Sequence, residues 1–192
     1  MKLIIGTDEA GRGPLAGPVY AAAVALPEDF PFDILNDSKK MTEKARERAE
    51  RIIKDKALAW AVASVGPQEI DEINILNASL KAMTISCHEV ADKLTQMGYT
   101  EFKVLADGNR MPPVKLECET VVKGDSKIHE IMAASILAKT GRDRYMLEAA
   151  AKWPQYGFEK HKGYPVASHY KAIEEYGPCP IHRMSFKGVS QR

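Results

Sequence analysis

Three short runs of strand character in this chain each close on acidic residues. LIIGTDE reaches Asp8 and Glu9, KVLADG reaches Asp107, and VVKGD reaches Asp125. A sheet fixes the position of a strand end while the loop beyond it is free to be polar, so strand ends are where such folds carry sites. Carboxylates that converge from several strands repel one another unless positive charge stands among them. Hard divalent cations with oxygen ligands, Mg²⁺ or Mn²⁺, are the usual occupants of such a set. The pattern predicts a sheet that gathers Asp8, Glu9, Asp107 and Asp125, and metal-assisted chemistry on phosphate. Taken singly, Asp107 suits an Asp-Gly turn and Asp125 suits charge–dipole stabilisation of a following helix. The metal reading needs the sites together.

Adjacent acids raise a geometric problem. On a regular strand Asp8 and Glu9 point to opposite faces. Both serve one site if the strand ends or bulges there, which Gly11 and Gly13 allow. These glycines also let backbone groups come close to a ligand. GRGPLA (11–16) fits the dinucleotide pattern GxGxxA, but three features oppose that reading. PVYAAAVALP follows as a strand, not a helix; Pro14 removes a backbone donor; and Asp8 and Glu9 would face a pyrophosphate with like charge.

Strand patterns cover 2–8, 18–26, 57–65, 102–106 and 116–122. TEKARERAERIIKDK (42–56) reads as a helix capped by Thr42. Pro67 opens a short helix, and Asn77 is expected to cap a longer one that Gly98 ends. Ser126 is expected to cap IHEIMAASILAK, and Pro165 starts a last helix closed by Gly177. Strands first, then strands alternating with helices, make an α/β or α+β domain around one mixed sheet. The residues after about 150 are rich in loops and proline and read as an appendage packed on the sheet.

With 192 residues and 45% apolar content, the chain fits one domain with a small appendage. It has no apolar run of about 18 residues and no secretory pattern, so the cytoplasm is the expected compartment. Three cysteines without CxxC spacing argue against a disulfide framework or a zinc ribbon. His88-Glu89 begins an HExxH helix but reaches Asp92 where the second histidine belongs. A net charge of +1 makes any phosphate-binding surface local. LNDSKK (35–40) offers Lys39 and Lys40 after an Asp-Ser turn. FEKHKGYP (158–165) sets Lys162 and Tyr164 in a basic, aromatic loop suited to stacking and phosphate contact.

DEAGRGPLAGPV, LNDSKK, EIDEINILNASLKAM, ADGNR, VVKGDSKIHEIMAASILAK, Arg142-Asp143, PQYGFEKHKGYP and HRMSF together resemble the bacterial-type ribonuclease HII family, in its order and over nearly the whole chain. The related ribonuclease HIII family usually carries Gly-Lys-Gly, whereas Gly-Arg-Gly stands here. The resemblance implies a ribonuclease H-like fold: a five-stranded mixed sheet flanked by helices, with a C-terminal helical appendage. On that pattern residues 1–150 form the catalytic domain and 151–192 the appendage, which contributes to substrate binding.

The activity implied is endonucleolytic cleavage of RNA in RNA–DNA hybrids and of single ribonucleotides embedded in duplex DNA. The cut falls 5′ of the ribonucleotide and leaves 3′-hydroxyl and 5′-phosphate ends. The implied catalytic and metal-binding carboxylates are Asp8, Glu9, Asp107 and Asp125, working with two Mg²⁺ or Mn²⁺ ions. Gly11, Arg12 and Gly13 would read the ribonucleotide, and Tyr164 would pack near the junction sugar. Lys39, Lys40, Lys162 and Arg183 are candidates for backbone phosphates. The partners implied are the hybrid and ribonucleotide-containing duplexes, bound by a monomer away from membranes. KGVSQR (187–192) shows no clear sliding-clamp peptide, although some relatives bind a clamp. Two other readings stay open: a non-catalytic hybrid-binding protein, or another metal nuclease of this fold such as a junction resolvase.

Overall fold

The computed structural model describes residues 2–190. Five strands form one mixed sheet: β1 (Leu3–Ala10), β2 (Val19–Ala25), β3 (Ala59–Val65), β4 (Phe102–Asp107) and β5 (Glu117–Val121), in the spatial order β3-β2-β1-β4-β5. β1, β2 and β3 are antiparallel neighbours, while β4 and β5 run parallel to β1. α1 (Glu43–Lys56) and α3 (His129–Lys152) cover one face, and α2 (Pro67–Gln96) covers the other.

The small side chains of β2 explain the layering. Ala22 and Val24 pack under α1 and α3, while Ala21, Ala23 and Ala25 pack under α2, so β2 is buried on both sides. A strand covered on both faces reads as a continuous apolar run. α3 packs tightly on the sheet at Gly6. A Cβ built there would lie 2.3 Å from the carbonyl carbon of Glu130 and 2.4 Å from the nitrogen of Ile131. Both are backbone atoms and cannot swing aside. Gly6→Ala is therefore expected to lever α3 away from β1 and destabilise the fold by about 3 kcal/mol, read as a fall in the denaturant midpoint at constant slope.

Two helix starts differ from the sequence expectation. Thr42 caps α1 as expected, accepting from the Ala45 N–H at 3.2 Å. α2 is two helical stretches, short then long as expected, meeting at a non-helical kink at Asn74 (φ 67°, ψ 163°), but the Asn74 side chain, not Asn77, caps the second stretch by accepting from the Asn77 N–H at 3.0 Å. Its ψ of 163° lies outside the left-handed helical region that asparagine adopts readily, so this is a strained backbone position held by the structure around it. Ser126 does not cap α3. It lies in a 3₁₀ turn over Gly124–Ser126 and donates to the Lys123 carbonyl, and α3 begins at His129.

The chain after α3 passes through α4 (Phe158–His161) and α5 (Ala167–Tyr176). Phe158, Ile173 and Ile181 share one apolar cluster with Met146 of α3 and with Leu15 and Ala16. Leu15 N–H donates to Gly163 O, Gly17 N–H to Ile181 O, and Arg183 N–H to Leu15 O, each at 2.8 Å. The C-terminal segment is thereby fastened to the glycine-rich connection that follows Asp8 and Glu9. Among the described residues no helix is long and apolar enough to cross a membrane.

Candidate active site

The site sits where parallel pairing stops. β1 stays in regular register with β2 through Ala10, with no bulge. Its pairing with β4 ends earlier, at Thr7 and Ala106. Asp8 and Glu9 therefore flank an open notch at the carboxyl ends of β1 and β4, the customary place for a site in sheets with parallel strands. This corrects the expectation that β1 must end or bulge. The strand is regular, its two acids do point to opposite faces, and the missing neighbour lets both reach the notch. Asp8 faces α3, on the side of Ser135. Glu9 faces α2, in a cleft of about 370 Å³ shared with Arg12, Ser79, Asp107 and Arg110.

Asp8, Asp107 and Asp125 each bring a carboxylate oxygen within 4.8 Å of the other two. Asp107 also shapes its neighbour. Its Oδ1 accepts from the N–H groups of Gly124 (2.7 Å) and Asp125 (3.3 Å), which draws the loop after β5 over the end of β4. A Cβ at Gly124 would lie 2.5 Å from Ile131 Cδ1, so the loop fits tightly between β4 and α3. Glu9 stands beside this trio, its Oε1 3.3 Å from Arg12 Nη1.

The electrostatics are those of a site short of positive charge. Burial, then the charges of Glu9 and Asp107, hold the Asp8 carboxyl well above the usual aspartate range. Burial likewise raises Glu9, against the pull of Arg12. Lys39 Nζ lies 3.1 Å from Asp125 Oδ2 and partly offsets the repulsion. An all-oxygen set of crowded carboxylates suits Mg²⁺ or Mn²⁺ and does not suit softer metals.

Arg12 and Gly13 are exposed on the connection between β1 and β2, and Gly11 is buried with φ 91°. A Cβ at Gly11 would meet Arg142 Nε at 2.0 Å. Tyr164 is 41% exposed, with its ring edge 3.6 Å from where a Gly13 Cβ would lie, so the tyrosine and the glycine loop form one continuous surface. Lys40 is exposed, 3.9 Å from Asp37. Lys162 is half-buried and donates to the Glu159 carbonyl.

Arg183 departs from the phosphate contact expected of it. It is fully buried and donates to the carbonyls of Gly17 (2.9 Å), Arg12 (2.9 Å) and Gly11 (2.6 Å). Its partners lie inside the protein, so its work is to hold the glycine loop. Arg142, also fully buried, does the same for Pro18, Ala16 and Lys162, each accepting at 3.0–3.1 Å. Reading the residues locally missed Arg142 as a clamp, and missed Ser135 and Ser38, whose hydroxyls bond each other at 2.8 Å behind Asp8. Of the tail at 187–192, Gln191 and Arg192 lie outside the described residues.

The chain is similar to known proteins along its whole length. A family model described as Ribonuclease HII matches residues 5–189. A ribonuclease HII of Dechloromonas aromatica is 50% identical over 190 residues, covering 99% of this chain and 93% of that protein. The crystal structure of the ribonuclease H2 from Pyrococcus horikoshii OT3 superposes with a TM-score of 0.76 at 25% identity, over 98% of this chain and 95% of that one. A Bst-RNase HIII in complex with Mn²⁺ also reaches a TM-score of 0.76, at 16% identity, over 98% of this chain and 68% of that one.

Proposed function

The chain belongs to the ribonuclease HII family, and on that premise we propose that Asp8, Glu9, Asp107 and Asp125 hold divalent cations against the phosphodiester 5′ of a ribonucleotide. The chain is an endoribonuclease acting on RNA within RNA–DNA hybrids. The observation that carries the proposed chemistry is the trio of carboxylate oxygens within 4.8 Å of one another at the notch of the sheet.

When bound, Mg²⁺ or Mn²⁺ supplies an activated water and neutralises charge that builds on the phosphate and the leaving 3′-oxygen. The chain's own part is to hold and orient. Asp107 fixes the Asp125 loop through two backbone N–H groups, so the two acids keep their spacing. Lys39 at Asp125 and Arg12 at Glu9 sit where backbone phosphates of the duplex would pass. Arg183 engages the carbonyls of Gly11 and Arg12, which leaves the backbone N–H donors of the loop and Gly13 to recognise a 2′-hydroxyl, the group that DNA lacks. Tyr164 stacks on the adjoining deoxyribose. Residues 151–192 act as the appendage that presents it, and Lys40 and Lys162 add phosphate contacts.

The chain works as a monomer on hybrids and on duplexes with single embedded ribonucleotides. A reducing compartment such as the cytoplasm suits three unpaired cysteines. The fold neighbours include the PCNA:RNase HII complex from Archaeoglobus fulgidus. Clamp binding is a property of that protein, and the function proposed for this chain does not require it.

One gel tests the assignment: a duplex with a single ribonucleotide and its all-DNA twin, each with Mg²⁺ and with chelator. A nick 5′ of the ribonucleotide that needs both the 2′-hydroxyl and the metal is expected. Cleavage of the twin would point to a different nuclease, and cleavage under chelator would end the metal reading. Tyr164→Ala is expected to lower turnover on the embedded ribonucleotide roughly 10-fold more than on a long hybrid, since it removes one stacking platform. Equal losses on the two substrates contradict the stacking role.

A further inference from the structure

Three histidines of the C-terminal segment lie outside the acidic site, and two of them are buried: His169 is fully buried and His182 nearly so, at 2% exposure. Their Nε2 atoms are 3.0 Å apart. Two imidazoles that share one such bond need one donor and one acceptor. The outer contacts say which is which. His182 Nδ1 lies 2.8 Å from the Cys179 N–H, which only donates, and 3.3 Å from the Cys179 carbonyl, which only accepts; the shorter contact makes this nitrogen an acceptor and puts the His182 proton on Nε2. At the other end His169 Nδ1 lies 3.0 Å from the Tyr164 carbonyl, which only accepts, so His169 carries its proton on Nδ1. His169 Nε2 is then the acceptor that His182 Nε2–H requires. Each bond fixes the next, and the chain closes with every nitrogen satisfied. Adding a proton to either ring would set two N–H groups against each other, and burial holds both histidines down to about 4.

The third histidine completes a bracket. His161 stacks on His169, ring centres 4.5 Å apart, and its Nδ1 accepts from the Gly163 N–H at 3.2 Å. The residue before Tyr164 and the carbonyl of Tyr164 itself are thus both held by imidazoles. Gly163 passes close to the glycine-rich connection and leaves no space for a side chain, since a Cβ there would lie 2.7 Å from Ala16 O.

We propose that His182 and His169 are positioning residues for Tyr164: a neutral imidazole relay of fixed tautomers that anchors the tyrosine backbone and thereby sets where its ring meets the substrate sugar. This rests on the reading that Tyr164 packs on that sugar. The relay runs from the backbone of Cys179, next to the segment that carries Arg183, to the loop that carries Tyr164. The clamp on the glycine loop and the placement of the tyrosine are therefore built from one stretch of chain.

Proton–nitrogen correlation spectra of the imidazoles in the full chain at neutral pH give a direct readout. His169 protonated at Nδ1 and His182 protonated at Nε2 are expected. Either ring in the opposite tautomer, or as a cation, overturns the relay. Substitutions then separate positioning from mere packing. In His169→Asn the amide nitrogen takes the place of Nδ1 and keeps the bond to Tyr164 O; in His169→Gln it takes the place of Nε2 and loses that bond. His169→Gln is expected to cut the ratio of embedded-ribonucleotide to long-hybrid turnover about 10-fold, as a shift of the ring would, and His169→Asn to restore most of it. Both variants giving the same ratio would overturn the proposal even if both are less stable. Tyr164→Ala run alongside tells the two readings apart. If it moves the ratio and His169→Gln does not, the relay is wrong; if Tyr164→Ala itself leaves the ratio unchanged, the stacking reading fails and the spectra alone decide the relay.

Discussion

Asp107→Asn is expected to lower turnover on a duplex with one ribonucleotide by ~10³-fold or more in Mg²⁺, while duplex binding holds or tightens. The substitution is nearly isosteric. The amide that replaces the carboxylate retains an Oδ1 that can go on accepting from Gly124 and Asp125, so the loop that carries Asp125 keeps its seat. What is lost is one negative charge from the trio that lies within 4.8 Å. A cation site weakened in this way loses rate, whereas a phosphate backbone approaching fewer carboxylates meets less repulsion. Asp8→Asn is expected to behave alike, since its crowded and buried carboxyl is the one most strained by its neighbours. Single-turnover cleavage and equilibrium binding on the same duplex separate the two effects. Near-normal rates for Asp107→Asn in Mg²⁺ would remove the metal assignment, and parallel loss of rate and binding would recast the acids as structural.

The acids were legible because each stands at or shortly after a run of strand character, Asp125 in the 3₁₀ turn that follows β5, and strands of a mixed sheet deliver their ends to common places. What the local pattern could not say was how the notch forms. Considered alone, β1 needs a bulge to bring Asp8 and Glu9 to one site; the answer lies in the length of β4, a strand almost a hundred residues away in sequence. The caps failed for a related reason. Asn74 and Asn77 are equally good candidates by residue type, and the choice is made by the kink that lets Ile70 and Ala78 both be buried on the α2 face. Ser126 lost its expected place because Asp107 binds the N–H groups of Gly124 and Asp125, which winds that stretch into a 3₁₀ turn. Ser38 and Ser135 carry no local mark at all, being joined across 97 residues behind Asp8.

Arg183 shows how far a basic residue can be from the role its type suggests, and its substitution separates the two roles by experiment. A phosphate contact is exposed and dispensable to the fold. This side chain is fully buried, no acidic group is among its hydrogen-bond partners, and burial, with Arg142 nearby, lowers its guanidinium to about 9. Its charge is met by three carbonyls of the glycine-rich connection, at Gly11, Arg12 and Gly17. A planar fork with five N–H donors can serve three carbonyls in different directions; a lysine ammonium, a compact point charge, cannot reach them all. Arg183→Lys should therefore leave buried carbonyls without donors and destabilise the protein by about 3–5 kcal/mol, a fall of roughly 10 °C in Tm for a chain of this size. Cleavage should fall with it at temperatures where the variant is still folded, because the loop proposed to read the ribonucleotide is no longer held against Tyr164. The exposed-phosphate role makes the opposite pair of outcomes: an unchanged Tm, and duplex binding that weakens with a salt dependence shallower by about one phosphate contact. Thermal unfolding and a salt titration on one preparation decide between them, and an unchanged Tm would remove the clamp.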